Sequence, residues 1–287
     1  MEVIREADAY RERMVAARGN GATVGLVPTM GAFHPGHLSL MERARAENDL
    51  VAVSIFVNRL QFGPGEDFER YPRNEEADVT AAERQRADVA FVPTEEEMLG
   101  TGAGSEAAEV TVDPGPIGDR FEGASRPGHF RGVLQVVARL LSLTGRSRAY
   151  LGEKDFQQLF LVRSMVRDLA IDAEIVACPT VREPGGLALS SRNVHLDERE
   201  LDVAGVLFEA LADAAERVRT GARHPQVLVA EMAKTIAANE AVRLDYVAVV
   251  DEETFEEPVE IQRPSRAIVA AHVGSVRLID NIRLDPA

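Results

Sequence analysis

The feature that most constrains this chain is the run at residues 50–57, Leu-Val-Ala-Val-Ser-Ile-Phe-Val, apolar but for one serine. A half-exposed strand would alternate with polar residues, and an amphipathic helix would break the run every third or fourth position. A short continuous apolar run suits a strand buried on both faces, as in a parallel sheet covered by helices. The run is far too short to cross a bilayer. Residues 23–27 read as a second buried strand. Between the two lie a turn region over 28–35 and a helical pattern from about 36 to 47. Strand, loop, helix, strand is one βαβ unit.

The pattern recurs. A helix near 75–86 precedes a strand at 88–92, a helix near 132–143 precedes a strand at 148–151, and a helix over 156–169 precedes a strand at 173–177. Such alternation predicts a doubly wound α/β fold around a parallel sheet. The rhythm changes after Asn193. Asp197 is placed to cap a long helix reaching about residue 219, and a second helix is expected over 225–238. Strands follow at 244–250, 267–272 and 276–281, the last two joined by a Gly-Ser turn as a hairpin. Helices followed by antiparallel strands predict a smaller α+β domain. The expected division is 1–181 and 182–287, with polar loops at 103–108 and 251–258.

Composition narrows the function. Hydrophobic residues make up 45% of the chain, enough for a packed core, while the formal net charge is −15. A surface of that sign repels phosphate backbones, so nucleic acid is not an expected partner. Small anions would need a locally basic pocket. The lone cysteine, Cys178, has no partner for an internal disulfide and sits in a strand-like context, the pattern of a small core residue. The first 13 residues are amphipathic and charged and lack a signal peptide's apolar stretch, so the expected location is the cytoplasm, with no membrane partner.

Five clusters carry candidate chemistry. The first, Met30-Gly31-Ala32-Phe33-His34-Pro35-Gly36-His37, lies between a strand and a helix, where open α/β sheets bind ligands. Its glycines allow close backbone approach, and the helix N-terminus presents N–H groups and a positive dipole end to phosphate. Capping, packing, or metal binding by the two histidines are the competing readings. The second, Ser190-Ser191-Arg192-Asn193 after Gly185-Gly186, pairs hydroxyls with a guanidinium suited to phosphate oxygens, or is an N-cap beside a surface arginine. The third is Gly152-Glu153-Lys154-Asp155-Phe156-Gln157-Gln158, again at a strand end. Lys154 would face an anion there, Gln158 would read a hydroxyl or carboxylate, and Asp155 would otherwise cap the next helix. The fourth, Asn58 and Gln61, offers neutral directional hydrogen bonds, or is an ordinary polar loop. The fifth, Arg126-Pro-Gly-His129-Phe-Arg131, would bind a carboxylate or form a surface basic patch. No Walker loop, Cys-x-x-Cys or paired-carboxylate pattern competes.

Together with Val53-Ser-Ile-Phe-Val-Asn58, Leu187-Ala-Leu-Ser-Ser-Arg-Asn193 and, more loosely, Leu278-Ile-Asp-Asn-Ile282, these motifs run in the same order as in the pantothenate synthetase family, which the chain resembles. The resemblance implies a Rossmann-like nucleotidylyltransferase-type domain with a C-terminal α+β lid domain. It implies an enzyme that joins (R)-pantoate and β-alanine at the expense of ATP, with Mg2+, as a homodimer. Carried over by motif, Met30 to His37 would line the ATP site with His34 and His37 on the phosphates, and the proton donor would be His37. Gly152, Glu153, Lys154 and Asp155 would contact the nucleotide, with Val181, Leu189, Ser190, Ser191 and Arg192 completing its site. Lys154 and Arg192 would act on the phosphates. Gln61, Gln158 and Asn58 would hold pantoate, while Gln61, Arg126 and His129 would hold β-alanine. Asp78 would contact Mg2+.

Three positions depart from the family pattern: Arg59 replaces a usual proline, Leu99 a common tyrosine, and Gly185 a frequent aspartate. Arg59 either adds charge beside the substrate or points to solvent. A nucleotidylyltransferase acting on another small acceptor and a non-catalytic nucleotide-binding protein are the alternatives. A tRNA-charging enzyme fits poorly with the acidic surface.

Overall fold

The computed structural model describes residues 1–100 and 110–286; the polar stretch at 103–108 lies outside them. In chain order the strands are β1 (Glu2–Ile4), β2 (Val24–Thr29), β3 (Leu50–Ile55), β4 (Val89–Phe91), β5 (Ser147–Gly152), β6 (Ala173–Cys178), β7 (Val242–Asp251), β8 (Ser265–Val273) and β9 (Val276–Leu284). The α-helices are α1 (Ala7–Gly19), α2 (Pro35–Glu47), α3 (Glu75–Arg84), α4 (Glu95–Leu99), α5 (Glu122–Ser125), α6 (His129–Thr144), α7 (Phe156–Asp168), α8 (Glu198–Arg219) and α9 (Pro225–Ala237). Among the described residues, no helix is long and apolar enough to cross a membrane.

Two compact units result, one of Met1–Glu153 with Leu161–Pro179, the other of Lys154–Phe160 with Thr180–Ala287. The first holds a six-stranded parallel sheet in the order β1-β4-β3-β2-β5-β6. Every residue of β3 is buried, as its unbroken apolar run requires. Val27, Val51 and Val53 of the sheet pack with Leu40, Met41 and Ala44 of α2. The chain runs from β2 outward through β3 to β4, then returns to place β5 on the other side of β2. That reversal between β2 and β5 is the switch point at which such sheets open a crevice beyond their carboxyl ends.

The second unit packs α8 and α9 on the antiparallel sheet β7-β8-β9. Asp197 begins α8 with a capping box: its side chain accepts from Glu200 N, while the Glu200 side chain accepts from Asp197 N. The expected hairpin of β8 and β9 forms around Gly274. Cys178 is buried, and burial pushes its thiol up to about 11, so it stays protonated in the core.

Several boundaries differ from the sequence reading, β9 for one running on to Leu284, and three of the differences have a clear physical reason. The amphipathic start is not one element but β1 followed by α1; three residues are too few to display a strand period. Residues Pro28 and Thr29, read as turn, extend β2 and pair with Ser54 and Ile55. Proline is tolerated in this central strand because β2 pairs with β5 at Gly25 and Leu26, and Pro28 lies two residues past the second of these. Helix α6 starts at His129 rather than Gly132, after Gly128 in the left-handed conformation.

Gly132 is therefore inside a helix, and for a packing reason. A β-carbon there would lie 2.2 Å from the Leu60 carbonyl oxygen and 2.6 Å from Gln61 N. The missing side chain lets α6 approach the 3₁₀ turn Arg59–Gln61. Gly132→Ala must push that backbone away, and we expect a cost on the order of 1–3 kcal/mol. Chemical denaturation should show it as a lower midpoint with an unchanged slope.

Candidate active site

Strands β2 and β3 are neighbours, and both end in polar turns. After β2, Gly31 adopts φ 82° and Ala32 φ 51°. A β-carbon on Gly31 would meet an Asp78 carboxylate oxygen at 2.6 Å, so the turn depends on glycine there. Asp78, buried in the first turn of α3, accepts from Ala32 N at 2.9 Å and from Phe33 N at 2.8 Å. These two bonds pin the loop at its sharpest point.

His34 is the N-cap of α2, and its Nδ1 accepts from Gly36 N at 3.1 Å. With Nδ1 an acceptor, the neutral ring carries its proton on Nε2. The His37 ring lies 4.1 Å from that of His34, centroid to centroid. The histidines thus stand together, as the spacing predicts. The backbone amides of the loop are engaged within the protein. The amides of Ala32 and Phe33 are taken by Asp78 of α3, and those of Gly36 and His37 by His34 within the loop. A short Pro-Gly-His turn thus satisfies its own helix start.

After β3, Asn58 is almost fully buried and caps the Arg59–Gln61 turn. Its Oδ1 accepts from Leu60 N, and its Nδ2 donates to Gly132 O and, at 2.9 Å, to Gln61 Oε1. The carbonyl end of Gln61 is thereby committed, so the end offered to a ligand is its amide donor. Asn58 thereby orients Gln61.

Arg126 and His129 lie beneath the same turn. Arg126 donates to Glu66 through Nε and Nη2 (2.6 Å at the closest), to Glu122 at 3.4 Å and to Gln61 O at 3.2 Å. Its Nη1 is also 3.2 Å from His129 Nε2, while His129 Nδ1 is 2.9 Å from Gln61 O. A carbonyl and a guanidinium on opposite ring nitrogens select the neutral Nδ1–H tautomer. Burial and then the Arg126 charge push His129 down to about 4. Glu66 is raised by its own burial, but the Arg126 hydrogen bond and charge win and hold it below its usual value. The expectation that Arg126 and His129 meet β-alanine directly changes accordingly: their polar atoms serve Glu66, Glu122 and the Gln61 carbonyl. Sequence spacing could not show this, because Glu66 lies 60 residues from Arg126.

In the second unit, residues 181–189 form a tight hairpin: Leu189 N donates to Val181 O, and Arg182 bridges to Ala188. Val181 and Leu189, carried over separately, are thus brought side by side. Ser190 caps a short 3₁₀ helix, Ser191–His195, its Oγ accepting from Arg192 N. Lys154 is half-buried, 3.5 Å from Asp155, and Gln158 lies in the first turn of α7. The departures are accommodated. Arg59 is exposed and stacks over Phe68 at 5.5 Å, and Gly185 sits in the exposed hairpin turn with open space where a β-carbon would be.

Asp78 is a single carboxylate that keeps a lone pair on each oxygen after its two amide bonds. Among the described residues, no group of three or more His, Cys, Asp or Glu could hold a metal. This donor set fits Mg2+ arriving with nucleotide phosphates, which needs one or two carboxylates rather than a cage.

Similarity to known proteins runs the length of the chain. The family model described as pantoate-beta-alanine ligase matches residues 2–283. A pantothenate synthetase of Rubrobacter xylanophilus is 50% identical over 285 residues, 98% of each chain, and one of Roseiflexus castenholzii is 47% identical, covering 99% of this chain and all of the other. Among solved structures, a pantothenate synthetase of Thermus thermophilus aligns with a TM-score of 0.91 at 43% identity over the whole of both chains. A pantoate-beta-alanine ligase of Francisella tularensis, complexed with beta-gamma ATP and beta-alanine, aligns with 0.79 at 33% identity over 98% of this chain and 97% of that one.

The depressed His129 gives a stability prediction with a definite sign. The folded state favours the neutral ring, so the unfolded chain binds more protons between the folded value of about 4 and the ordinary 6.5. Stability from this residue is complete above pH 6.5 and is lost as pH falls toward 4, on the order of 3 kcal/mol. Substituting His129→Gln, which keeps a donor and an acceptor, should flatten that part of the unfolding free energy measured against pH.

Proposed function

Because the chain belongs to the pantoate-beta-alanine ligase family, we propose that it is an ATP-dependent ligase condensing (R)-pantoate with β-alanine and releasing AMP and pyrophosphate. The observation that carries the reading is the pair of adjacent strand ends. One bears the His34–His37 pair, the other a Gln61 amide held by Asn58. Phosphate donors and a neutral carboxylate donor are thus paired.

A carboxylate is a poor electrophile because its leaving group would be oxide. In the proposed first step a pantoate carboxylate oxygen attacks the α-phosphorus of ATP and the bond to pyrophosphate breaks, leaving pantoyl-adenylate. Gln61 suits that nucleophile: a neutral amide orients the carboxylate without quenching its charge, as a cation would. Gln158 is proposed as a second such donor. Charge grows on the phosphate oxygens, so positioned donors are needed rather than a protein nucleophile. We assign these roles to His34, His37, Lys154, Ser190, Ser191 and Arg192, with Met30 to His37, Gly152 to Asp155, Val181 and Leu189 shaping the nucleotide site. Mg2+, which would neutralise phosphate charge, is proposed to bind with ATP beside Asp78. In the second step the unprotonated amine of β-alanine attacks the activated carbonyl beside Gln61. The C–O bond to AMP breaks and the nitrogen loses a proton. Holding the two reactants together supplies much of that step. Assembly as a homodimer and a cytoplasmic location are proposed from the family resemblance.

Loss of one donor to a developing phosphate charge costs roughly 100- to 1000-fold in rate. His37→Ala and Lys154→Ala should each lower kcat by about that factor with the fold intact by circular dichroism. Wild-type turnover in either variant removes its assigned role. Enzyme, ATP and pantoate without β-alanine should accumulate bound pantoyl-adenylate in a single turnover. Amide formation without that species would sink the two-step scheme. Pyrophosphate release that is independent of pantoate would instead mark a nucleotidylyltransferase with another acceptor.

A further inference from the structure

The motif Leu278-Ile-Asp-Asn-Ile282 has no place in the chemistry above, yet it puts two polar side chains in the core of the second unit. Asp280 and Asn281 are 3% and 4% exposed. Each is held by an arginine. Arg182 forks onto Asp280, with Nη1 2.6 Å from one carboxylate oxygen and Nη2 3.0 Å from the other, and Nη2 also donates to Asn281 O at 3.1 Å. Arg266 donates from Nη1 to Asn281 Oδ1 at 2.8 Å.

That second bond decides which way the Asn281 amide faces. With Oδ1 turned to a guanidinium, Nδ2 is turned the opposite way, and there it donates to the Lys154 main-chain carbonyl at 2.8 Å. Arg266 is fixed in its turn. It is 5% exposed, its Nε donates to Glu252 at 2.8 Å, and its guanidinium stacks over the Phe156 ring at 4.3 Å. Phe156 also stacks on Phe255. The short segment from Lys154 to Phe156 is therefore gripped at its first residue by Asn281 and at its third by Arg266. The same stretch of β9, through Arg182, holds the hairpin that leads into Ser190, Ser191 and Arg192.

We propose that Asn281 is a positioning residue for Lys154, oriented by Arg266, so that one motif on β9 sets the placement of the lysine on the ATP phosphates. The inference rests on the phosphate role proposed for Lys154. A lysine ammonium can reach only as far as its four-carbon stem extends, so where its backbone is held decides which atoms it can meet. A misplacement of about 1 Å at a reacting centre costs on the order of 100-fold in rate.

Asn281→Asp tests this with little change of shape. The aspartate keeps the acceptor for Arg266 and removes the donor to Lys154 O. The readout is steady-state pyrophosphate release with varied ATP and pantoate, for N281D, K154A and the double variant, alongside thermal unfolding. We expect N281D to lower kcat about 10- to 100-fold, leave KM for pantoate within about twofold, and unfold near the wild-type temperature. In the K154A background N281D should cost less than about twofold more, since the group it positions is gone. Equal losses in both backgrounds, or wild-type turnover in N281D, overturn the inference. Wild-type turnover in K154A alone overturns instead the phosphate role from which the inference starts. If N281D does not fold, Asn281→Ser is read by the same cycle.

Discussion

The parting of β2 from β5 is the constraint on which the first unit's site depends. The two strands pair at Gly25–Arg148 and Leu26–Ala149. Beyond them stands Pro28, which has no N–H to give a neighbour. β2 stays bound to β3 through Thr29, so its end is held on one side while it is relieved of pairing on the other. The turn after Thr29 can then rise over the sheet edge and deliver His34 and His37. Because β2 and β3 stay in register to their ends, the turns that follow them, one with the histidines and one with Gln61, begin side by side.

Both turns are held by buried and part-buried acceptors and donors of the protein itself. Asp78 takes the Ala32 and Phe33 amides; Asn58 takes the Gln61 side-chain carbonyl; Arg126 and His129 take the Gln61 main-chain carbonyl. A largely desolvated Arg–Glu pair contributes little net stability once desolvation is counted, and breaking it by removing one partner is costly; Arg126 and Glu66 are part-buried. Its value here is geometric: the N–H groups of a rigid guanidinium fork define where the turn lies. The second unit repeats the device with Arg182 on Asp280 and Arg266 on Asn281. In both units charged residues placed beneath a polar loop set its position.

Much of the architecture was legible because each element carries its own period. The unbroken apolar run of β3, the Asp197 capping box and the Gly-Ser hairpin are local signals, and each element lies where its signal is. The three-residue β1 is too short to carry a period. Gly132 reads as a helix start because glycine is a poor helix interior residue, and its real reason is the approach of Leu60, far away in sequence. The candidate site divides the same way. His34, His37, Gln61 and Ser190 are visible as a motif at a strand end or cap. Arg126 and His129 are visible as a basic cluster, but their occupation by Glu66, Glu122 and a carbonyl is not.

The sequence by itself determined which residue types stand at each strand end, the parallel sheet with its smaller antiparallel partner, and membership in a ligase family whose motifs follow in one order. The first two are properties of neighbours along the chain, readable from periodicity, capping and spacing, whereas the family is carried by the resemblance of its ordered motifs. The tertiary structure decided which of those residues face one another. It turned the helix-start amides of the histidine loop inward, set Asn58 and Arg126 against Gln61, and tied Asn281 to Lys154 across 127 residues. Hydrogen bonds are short and directional, so whether a donor serves protein or ligand depends on ångström placement of residues far apart in sequence, which only the folded chain provides.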